Sequence, residues 1–275
     1  MHLEELFQQP HALPAIPRIM QELIASFQDE GVAVKHLADL ISTDQVITAN
    51  LLRMANSAYF EVPYTIATVA DAVTRLGFTN VRTLVISLGL TGSFQSIPVI
   101  DAARFWRYSL HTAVVARHLG KQIAIDPELV FTVGLMHAVG ELVMHVAMPV
   151  AMRAMDNAVA LLDPNRLAVE QTTFGYTHAD VGAELARRWN FPPVFAQAIA
   201  GADNPLVQGD FSPLAALVHI AAWRARAEAN RLSQQEMELY WPLELAAKIA
   251  LPRDAMLQDL PPLADLCAGL ESLVS

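Results

Sequence analysis

The sequence predicts an all-α protein, and three observations carry this prediction. Almost every segment places apolar residues at helical spacing, and no stretch shows the alternation of a half-buried strand. The apolar fraction is 53% and the charged fraction is 17%, which favours a large buried core and excludes a disordered chain. Capping residues, prolines and glycines recur between the apolar segments, as expected at helix boundaries. A chain of 275 residues is long enough for one large domain or two fused ones.

The N-terminal part contains five predicted helices. They occupy residues 17–30, 34–42, 44–58, 68–76 and 79–95. Pro17 suits the first turn of the first helix, and Gly31 is its predicted end. Thr43 or Asp44 can cap the third helix, and Gly77 ends the fourth. The fifth is apolar on nearly all sides, which predicts that it is buried.

A second group of helices follows a loop that contains Pro98. The predicted spans are 101–124, 127 to just before Pro149, 150–161, 164–174, 178–190, 193–202 and 212–229. Asp101 and Asp126 are the predicted caps of the first two. Four prolines divide the last 45 residues into short helices. We therefore predict a multi-helix bundle of two packed halves, 1–98 and 99–229, followed by an extension, 230–275.

Charge and composition limit the functional classes. The formal net charge of −10 argues against direct binding of DNA or RNA. The single cysteine, Cys267, fits a reducing cytoplasm, and the first residues show no signal peptide. The apolar run Leu129–Met152 is a membrane candidate, but Glu141 and Pro149 argue against a span. We expect a cytoplasmic protein without a membrane segment, and the sequence leaves the oligomeric state open.

A polar stripe interrupts this apolar run. His137, Glu141 and His145 are spaced by four residues and share one helix face. An unpaired buried polar group costs about 1–3 kcal/mol, so the stripe must face polar side chains, water or a metal. His111 and His178 lie in helices predicted to pack nearby and could join His137 as ligands. The alternative, favoured because no HExxH signature is present, is that each histidine is a structural residue with one hydrogen bond.

The order of these residues resembles the HD superfamily of helical, metal-dependent phosphohydrolases. In that superfamily a histidine on one helix precedes a His-Asp pair on a later helix and a further aspartate downstream. His111 matches the first position, and His137 matches the histidine of the pair. Ala138 stands where the paired aspartate belongs, and the final aspartate would fall at about Ala222.

Three longer stretches resemble one branch of this superfamily, the HDOD domain (HD-related output domain). They are ISTDQVITANLLRMANSAYF at 41–60, TIATVADAVTRLGFTNVRTLVIS at 65–87, and EQTTFGYTHADVGAELARRWNFPPVFAQAI at 170–199. The resemblance covers roughly residues 10–225 as one HDOD unit, with residues 99–229 as the HD-like half. It implies a helical output module of bacterial signal transduction.

The departures from the HD pattern predict a degenerate site. Ala138 provides neither the negative charge nor the oxygen ligand of the missing aspartate. Glu141 stands where a related phosphodiesterase branch carries a lysine, and a glutamate there repels phosphate. The His-His pair of that branch falls at Gly201 and Ala202. We therefore expect no catalytic residue, no cofactor and no metal. If a metal does bind, the candidate ligands are His111, His137, His178 and Glu141.

Three functional hypotheses follow. The first is a non-catalytic signal-transduction or regulatory domain that binds an unidentified signalling protein, and this is the function we expect. The second is a metal-dependent phosphohydrolase with an altered ligand set, acting on a phosphomonoester, a nucleotide or a cyclic dinucleotide. The third is a nucleotide-sensing domain, although the acidic balance and the lack of a glycine-rich phosphate loop weigh against a strong anion site.

Four further conspicuous residues are predicted to be structural. Asn56 follows a helix and suits a helix end, because asparagine tolerates the left-handed conformation. Trp106 and Trp189 are predicted packing residues. Trp241 suits either a docking patch or a contact with the rest of the protein, and the second is favoured.

Overall fold

The computed structural model describes residues 2–9, 13–27, 34–60, 62–94, 97, 100–206 and 211–273. Within these residues the secondary structure is helical, with no strand, which confirms the predicted fold class. The predictions for Gly31 and Pro98 lie outside the described residues.

The first six helices follow the predicted order, with an additional short helix at the N-terminus. They are α1 (Leu3–Leu6), α2 (Arg18–Ala25), α3 (Val34–Thr43), α4 (Gln45–Ala55), α5 (Val69–Leu76) and α6 (Phe78–Ser93). The Asp44 carboxylate accepts from the backbone N–H groups of Val46 and Ile47, both at 3.0 Å, which confirms the predicted cap of α4. Gly77 joins α5 to α6 with φ of +82°, a conformation that side-chain-bearing residues rarely adopt.

The next eight helices form the larger part of the bundle. They are α7 (Ala102–Gly120), α8 (Pro127–Met136), α9 (Val139–Ala147), α10 (Pro149–Ala158), α11 (Arg166–Phe174), α12 (His178–Arg188), α13 (Pro193–Ala202) and α14 (Pro213–Ala229). Asp101 and Asp126 cap α7 and α8 as predicted. The prediction of one helix up to Pro149 was wrong, because His137 and Ala138 separate α8 from α9.

Two glycines let α8 and α9 approach their neighbours backbone to backbone. A Cβ atom on Gly134 would lie 2.9 Å from the Cα of Ala113 in α7. A Cβ atom on Gly140 would lie 1.9 Å from the carbonyl oxygen of His178 in α12. The segment Pro127–Ala147 is long and apolar enough to cross a membrane, but 89% of its most apolar window is buried inside the protein. It therefore has the burial of a core segment.

The described part of the C-terminal extension forms four short α-helices and one 3-10 helix. These are α15 (Gln234–Leu239), α16 (Leu243–Lys248), α17 (Arg253–Leu257), α18 (Leu263–Cys267) and the 3-10 helix Glu271–Leu273. α16 packs against α14 and α18 against α7, whereas α15 buries none of its side chains. The Trp241 ring is buried, and its centroid lies 5.7 Å from that of Trp223 in α14. This confirms the favoured prediction for Trp241, whereas the neighbouring Tyr240 is exposed.

The remaining structural predictions have mixed outcomes. Trp106 and Trp189 are both buried, as predicted. Asn56 does end α4, but its φ of −92° is not left-handed. Its side-chain amide instead donates to the carbonyls of Leu52 and Ile66, and its oxygen accepts from the Ile66 N–H at 2.7 Å. Asn56 therefore fastens the following loop to the end of α4.

Candidate functional site

His137 lies at the break between α8 and α9, and both of its ring nitrogens are engaged. Nδ1 is 2.6 Å from the Gly134 carbonyl oxygen, which can only accept, so this nitrogen carries the proton. Nε2 then accepts from the Tyr108 hydroxyl at 3.0 Å. The Tyr108 oxygen in turn accepts from Arg226 Nη1 at 2.9 Å. Burial lowers the pKa of His137 to about 3, so the ring is neutral and serves as a hydrogen-bonded link between helices.

Glu141 forms a forked ion pair with Arg166 across α9 and α11. Arg166 Nε lies 2.5 Å from Glu141 Oε1, and Nη2 lies 2.9 Å from Oε2. The same guanidinium also donates to Glu170 at 3.1 Å, Asp156 at 2.8 Å and the Val159 carbonyl at 3.0 Å. The Arg166 side chain is only 2% exposed. It therefore supplies the positive charge at the centre of a buried acidic cluster.

His178 joins this cluster from the first residue of α12. Its backbone N–H and its Nδ1 both lie 2.8 Å from Glu170 Oε2, and Nδ1 is 3.4 Å from Glu141 Oε1. Burial opposes the charge of His178, but Glu170 and Asp203 outweigh burial and raise its pKa to about 10. Burial also opposes ionisation of Glu170, yet the contacts with His178 hold the pKa of that carboxyl well below its usual value. His178 and Glu170 are thus a charged pair.

The predicted polar stripe is buried and has polar partners, but its members face different ones. His137 contacts Tyr108, whereas Glu141 contacts Arg166. His145 Nε2 lies 2.8 Å from Asp156 Oδ2, and its Nδ1 is 2.7 Å from the Glu141 carbonyl oxygen. Glu141 and His145 therefore belong to one network with Asp156, which His137 does not share.

The four candidate ligands are only partly brought together. Glu141 and His178, with Glu170, offer ligand atoms that all lie within 4.8 Å of one another. His137 is turned towards Tyr108 and is not part of this group. His111 lines a different cavity, of about 370 Å³. Sequence reasoning missed Arg166 altogether, and it treated Glu170 as a family match rather than as a member of the site.

A cavity of about 280 Å³ lies beside the network. Its lining includes the polar side chains of His178, Asp203, His219 and Arg226 and the aromatic side chains of Phe105 and Trp223. The His219 Nδ1 donates to the Ala202 carbonyl at 2.7 Å, and burial lowers the pKa of this ring to about 4. Its Nε2 is therefore available as an acceptor. Asp203 was not predicted from the sequence as a site residue.

The donor set, as arranged, does not fit a divalent metal. The carboxylates of Glu141 and Glu170 both accept from Arg166, and the Nδ1 of His178 is turned to Glu170. A cation placed among these oxygens would meet a guanidinium already in contact with them. Ala138, next to His137, offers no ligand atom. Metal binding would therefore require Arg166 to move out of the cluster.

Comparison with known proteins gives the family. The chain matches the HDOD domain family model over residues 13–205. A protein from Shewanella amazonensis SB2B, whose name proposes a phosphohydrolase, has a crystal structure with a TM-score of 0.79 and 28% identity, covering 99% of this chain and 96% of that one. An HDOD domain protein of unknown function from Geobacter sulfurreducens has a TM-score of 0.75 and 22% identity, covering 98% and 94%. An uncharacterized protein from Treponema pallidum (strain Nichols) is 27% identical over 215 residues, which are 76% of this chain and 41% of that protein. The chain thus spans about two fifths of the length of this relative, and it belongs to the HDOD domain family.

Proposed function

We propose that this chain is a non-catalytic regulatory output domain of bacterial signal transduction, which acts in the cytoplasm by binding a protein partner. The observation that carries the proposal is the position of Arg166. In a metal-dependent phosphohydrolase, a metal ion stabilises the negative charge of the phosphoryl group. Here a guanidinium already contacts the two buried carboxylates, Glu141 and Glu170.

The charges of the network support this interpretation. Two buried carboxylates would be costly without compensation, because an uncompensated charge in a low-dielectric interior is strongly destabilising. Arg166 and His178 provide two positive charges in direct contact with them. Asp156, at 27% side-chain exposure, completes the contacts of Arg166 from the solvent side. The network therefore has a structural explanation that needs no bound cation.

The side chains at the former motif support the same conclusion. Ala138 lines the cavity and offers no ligand atom. Glu141 also lines the cavity, and both of its oxygens accept from Arg166, so it offers a phosphate group no donor. His137 uses both ring nitrogens within the protein. Of the four candidate ligands, only Glu141 and His178 line this cavity, and both are engaged in the network.

Metal content and turnover test the non-catalytic part of the proposal. We expect untagged protein to contain far less than one divalent ion per chain. We also expect no hydrolysis of phosphomonoesters, nucleotides or cyclic dinucleotides in a panel with added Mg²⁺, Mn²⁺, Fe²⁺ or Ni²⁺. The competing hypothesis, an altered phosphohydrolase, rests on the close grouping of Glu141, Glu170 and His178. One tightly bound ion per chain, together with turnover that His178→Ala abolishes, would establish that hypothesis instead.

Affinity capture tests the partner. The full chain serves as bait in native lysate, and an unrelated acidic helical protein serves as the control bait. We expect the same bacterial signalling protein to be recovered under several growth conditions. Direct binding of the purified partner should then be measurable by calorimetry. Recovery of nothing above the control bait under every condition would contradict the partner-binding proposal.

A further inference from the structure

The cavity beside the network is lined by both polar and apolar side chains. The polar ones include Asp203, His219 and Arg226, and the apolar ones include the aromatic rings of Phe105 and Trp223. Leu161, Leu162 and Leu167 add to the apolar lining. Its volume of about 280 Å³ is slightly below the usual range of ligand pockets. A cavity of this size and polarity suits a small molecule with a charged or polar head and an apolar body.

Arg226 is a partly buried cation at the cavity. Its Nη1 donates to the Tyr108 oxygen at 2.9 Å, and the Tyr108 hydroxyl donates to His137 Nε2. Within the described part of the chain, Arg226 forms no ion pair with a carboxylate. By contrast, the buried guanidinium of Arg166 and the largely buried one of Arg117 both contact carboxylates. The guanidinium of Arg226 thus lines the cavity with unused donors.

Asp203 is the complementary group. Its Oδ2 is buried and has no hydrogen-bond donor among the described residues. The nearest cationic atom is His178 Nε2, at 3.6 Å, which is beyond hydrogen-bond distance. A buried acceptor without a donor is costly, so a ligand that supplies a donor here would gain free energy. The Nε2 of His219, an acceptor in the neutral ring, is a second hydrogen-bond acceptor in the cavity lining.

We propose that this cavity binds a free α-amino acid with an apolar side chain, as a zwitterion. The ligand carboxylate would pair with Arg226, its ammonium group with Asp203, and its side chain with Phe105 and Trp223. A simple carboxylic acid satisfies Arg226 but leaves Asp203 without a donor, and a simple amine leaves Arg226 without an anion. Only a molecule with both groups supplies a charged acceptor to Arg226 and a charged donor to Asp203 at once. This inference extends the proposed function, because it makes the former active site a sensory pocket.

Thermal unfolding and calorimetry with defined ligands test the inference. The probes are L-leucine and L-phenylalanine, and the matched controls are 3-phenylpropionate, which lacks the ammonium group, and 2-phenylethylamine, which lacks the carboxylate. A ligand specific for the native state at about 100 times its Kd should raise the Tm by about 5 °C. We expect this rise with an apolar amino acid and a much smaller one with either control. No metal is added, so the outcome is independent of the metal-content experiment.

Isosteric variants locate the site. Asp203→Asn and Arg226→Gln should each weaken amino-acid binding by about tenfold or more. Arg224→Gln, on the same helix but paired with Glu228, and Asp259→Asn, on the surface, should leave the Kd unchanged. The tryptophan fluorescence of each variant shows whether it is folded before binding is measured.

Several results would overturn the inference. No stabilisation by any amino acid at 10 mM, a concentration on the order of ten times a weak Kd, would exclude the ligand class. Equal stabilisation by phenylpropionate would reduce the site to an anion site. Stabilisation by nucleosides but not by amino acids would assign the cavity to a different ligand. Binding that Asp203→Asn and Arg226→Gln both leave intact would place the amino acid elsewhere on the protein.

Discussion

Replacement of Arg166 by methionine tests the central feature of the site. Methionine is unbranched and flexible, so it can fill much of the space of the arginine stem. The variant loses the cation but keeps the acidic cluster, leaving Glu141 and Glu170 at 2% and 0% side-chain exposure without the guanidinium. Breaking a buried ion pair by removing one partner costs about 3–5 kcal/mol. Asp156, at 27% exposure, can be solvated and adds little.

Equilibrium urea unfolding, followed by tryptophan fluorescence and circular dichroism, measures this loss. We expect Arg166→Met to lower the free energy of unfolding by about 3–5 kcal/mol at pH 7, which corresponds to about 5–9 °C in Tm for a chain of this size. The matched control is Arg18→Met, because Arg18 forms a comparable 2.9 Å contact with Glu22 at 81% side-chain exposure. An exposed pair of this kind contributes less than about 0.5 kcal/mol.

A double-mutant cycle separates the ion pair from general damage to the core. Glu141→Gln removes a negative charge from the cluster, so the Arg166→Met/Glu141→Gln double variant should be less destabilised than the sum of the single variants. We expect a coupling of about 2–3 kcal/mol, within the range for residues in direct contact. Burial raises the pKa of Glu141, so the carboxyl that loses Arg166 is more readily protonated as the pH falls, and the penalty of Arg166→Met should shrink at pH 5. A loss below about 1 kcal/mol, or simple additivity in the cycle, would refute the reasoning.

Three further predictions follow from the packing and the buried histidine. Gly140→Ala should prevent stable folding or lower the Tm by more than about 10 °C, because its Cβ would lie 1.9 Å from a backbone oxygen of α12. The control is Gly92→Ala in α6, where a Cβ would have nothing within 4 Å, so this variant should be neutral or stabilising by about 0.5–1 kcal/mol. Thermal unfolding of both variants checks the contrast. Burial lowers the pKa of His137 to about 3, below about 6.5 for the unfolded chain, so the unfolded state takes up the proton first and stability should fall as the pH drops from 6.5 towards 3. His137→Gln should flatten this slope in urea titrations, and an unchanged slope would contradict the assignment. Asn56→Ala should cost about 1–3 kcal/mol and increase amide exchange in the loop after α4, because three hydrogen bonds are lost; unchanged exchange would show that the loop is held by other contacts.

The helices could be predicted from the sequence because their signals are local. Asp44, Asp101 and Asp126 each cap the helix that follows, and a cap needs only the next two or three backbone N–H groups. The break at His137 was missed because the apolar pattern continues across it, and the broken geometry reflects contacts with other helices. The additional helix α1 is only four residues long, too short for a periodic pattern.

The site could be predicted only in part because its contacts are distant in sequence. Spacing correctly indicated that Glu141 needs a polar partner, but nothing near it pointed to Arg166, 25 residues away. That contact depends on how α11 packs against α9. The placement of His178 beside Glu141 likewise depends on the close approach at Gly140. The separation of His111 from this group is also a property of packing, which residue spacing does not encode.

Because Arg166 is part of the chain, the positive charge beside the buried acids does not depend on the supply of metal ions. A metal ion dissociates when chelators or competing proteins lower its free concentration, whereas a guanidinium is present whenever α11 has folded. The stability of this core should therefore be indifferent to EDTA and to metal starvation. A counter-charge that is part of the chain thus keeps the buried carboxylates of Glu141 and Glu170 compensated whatever the metal supply.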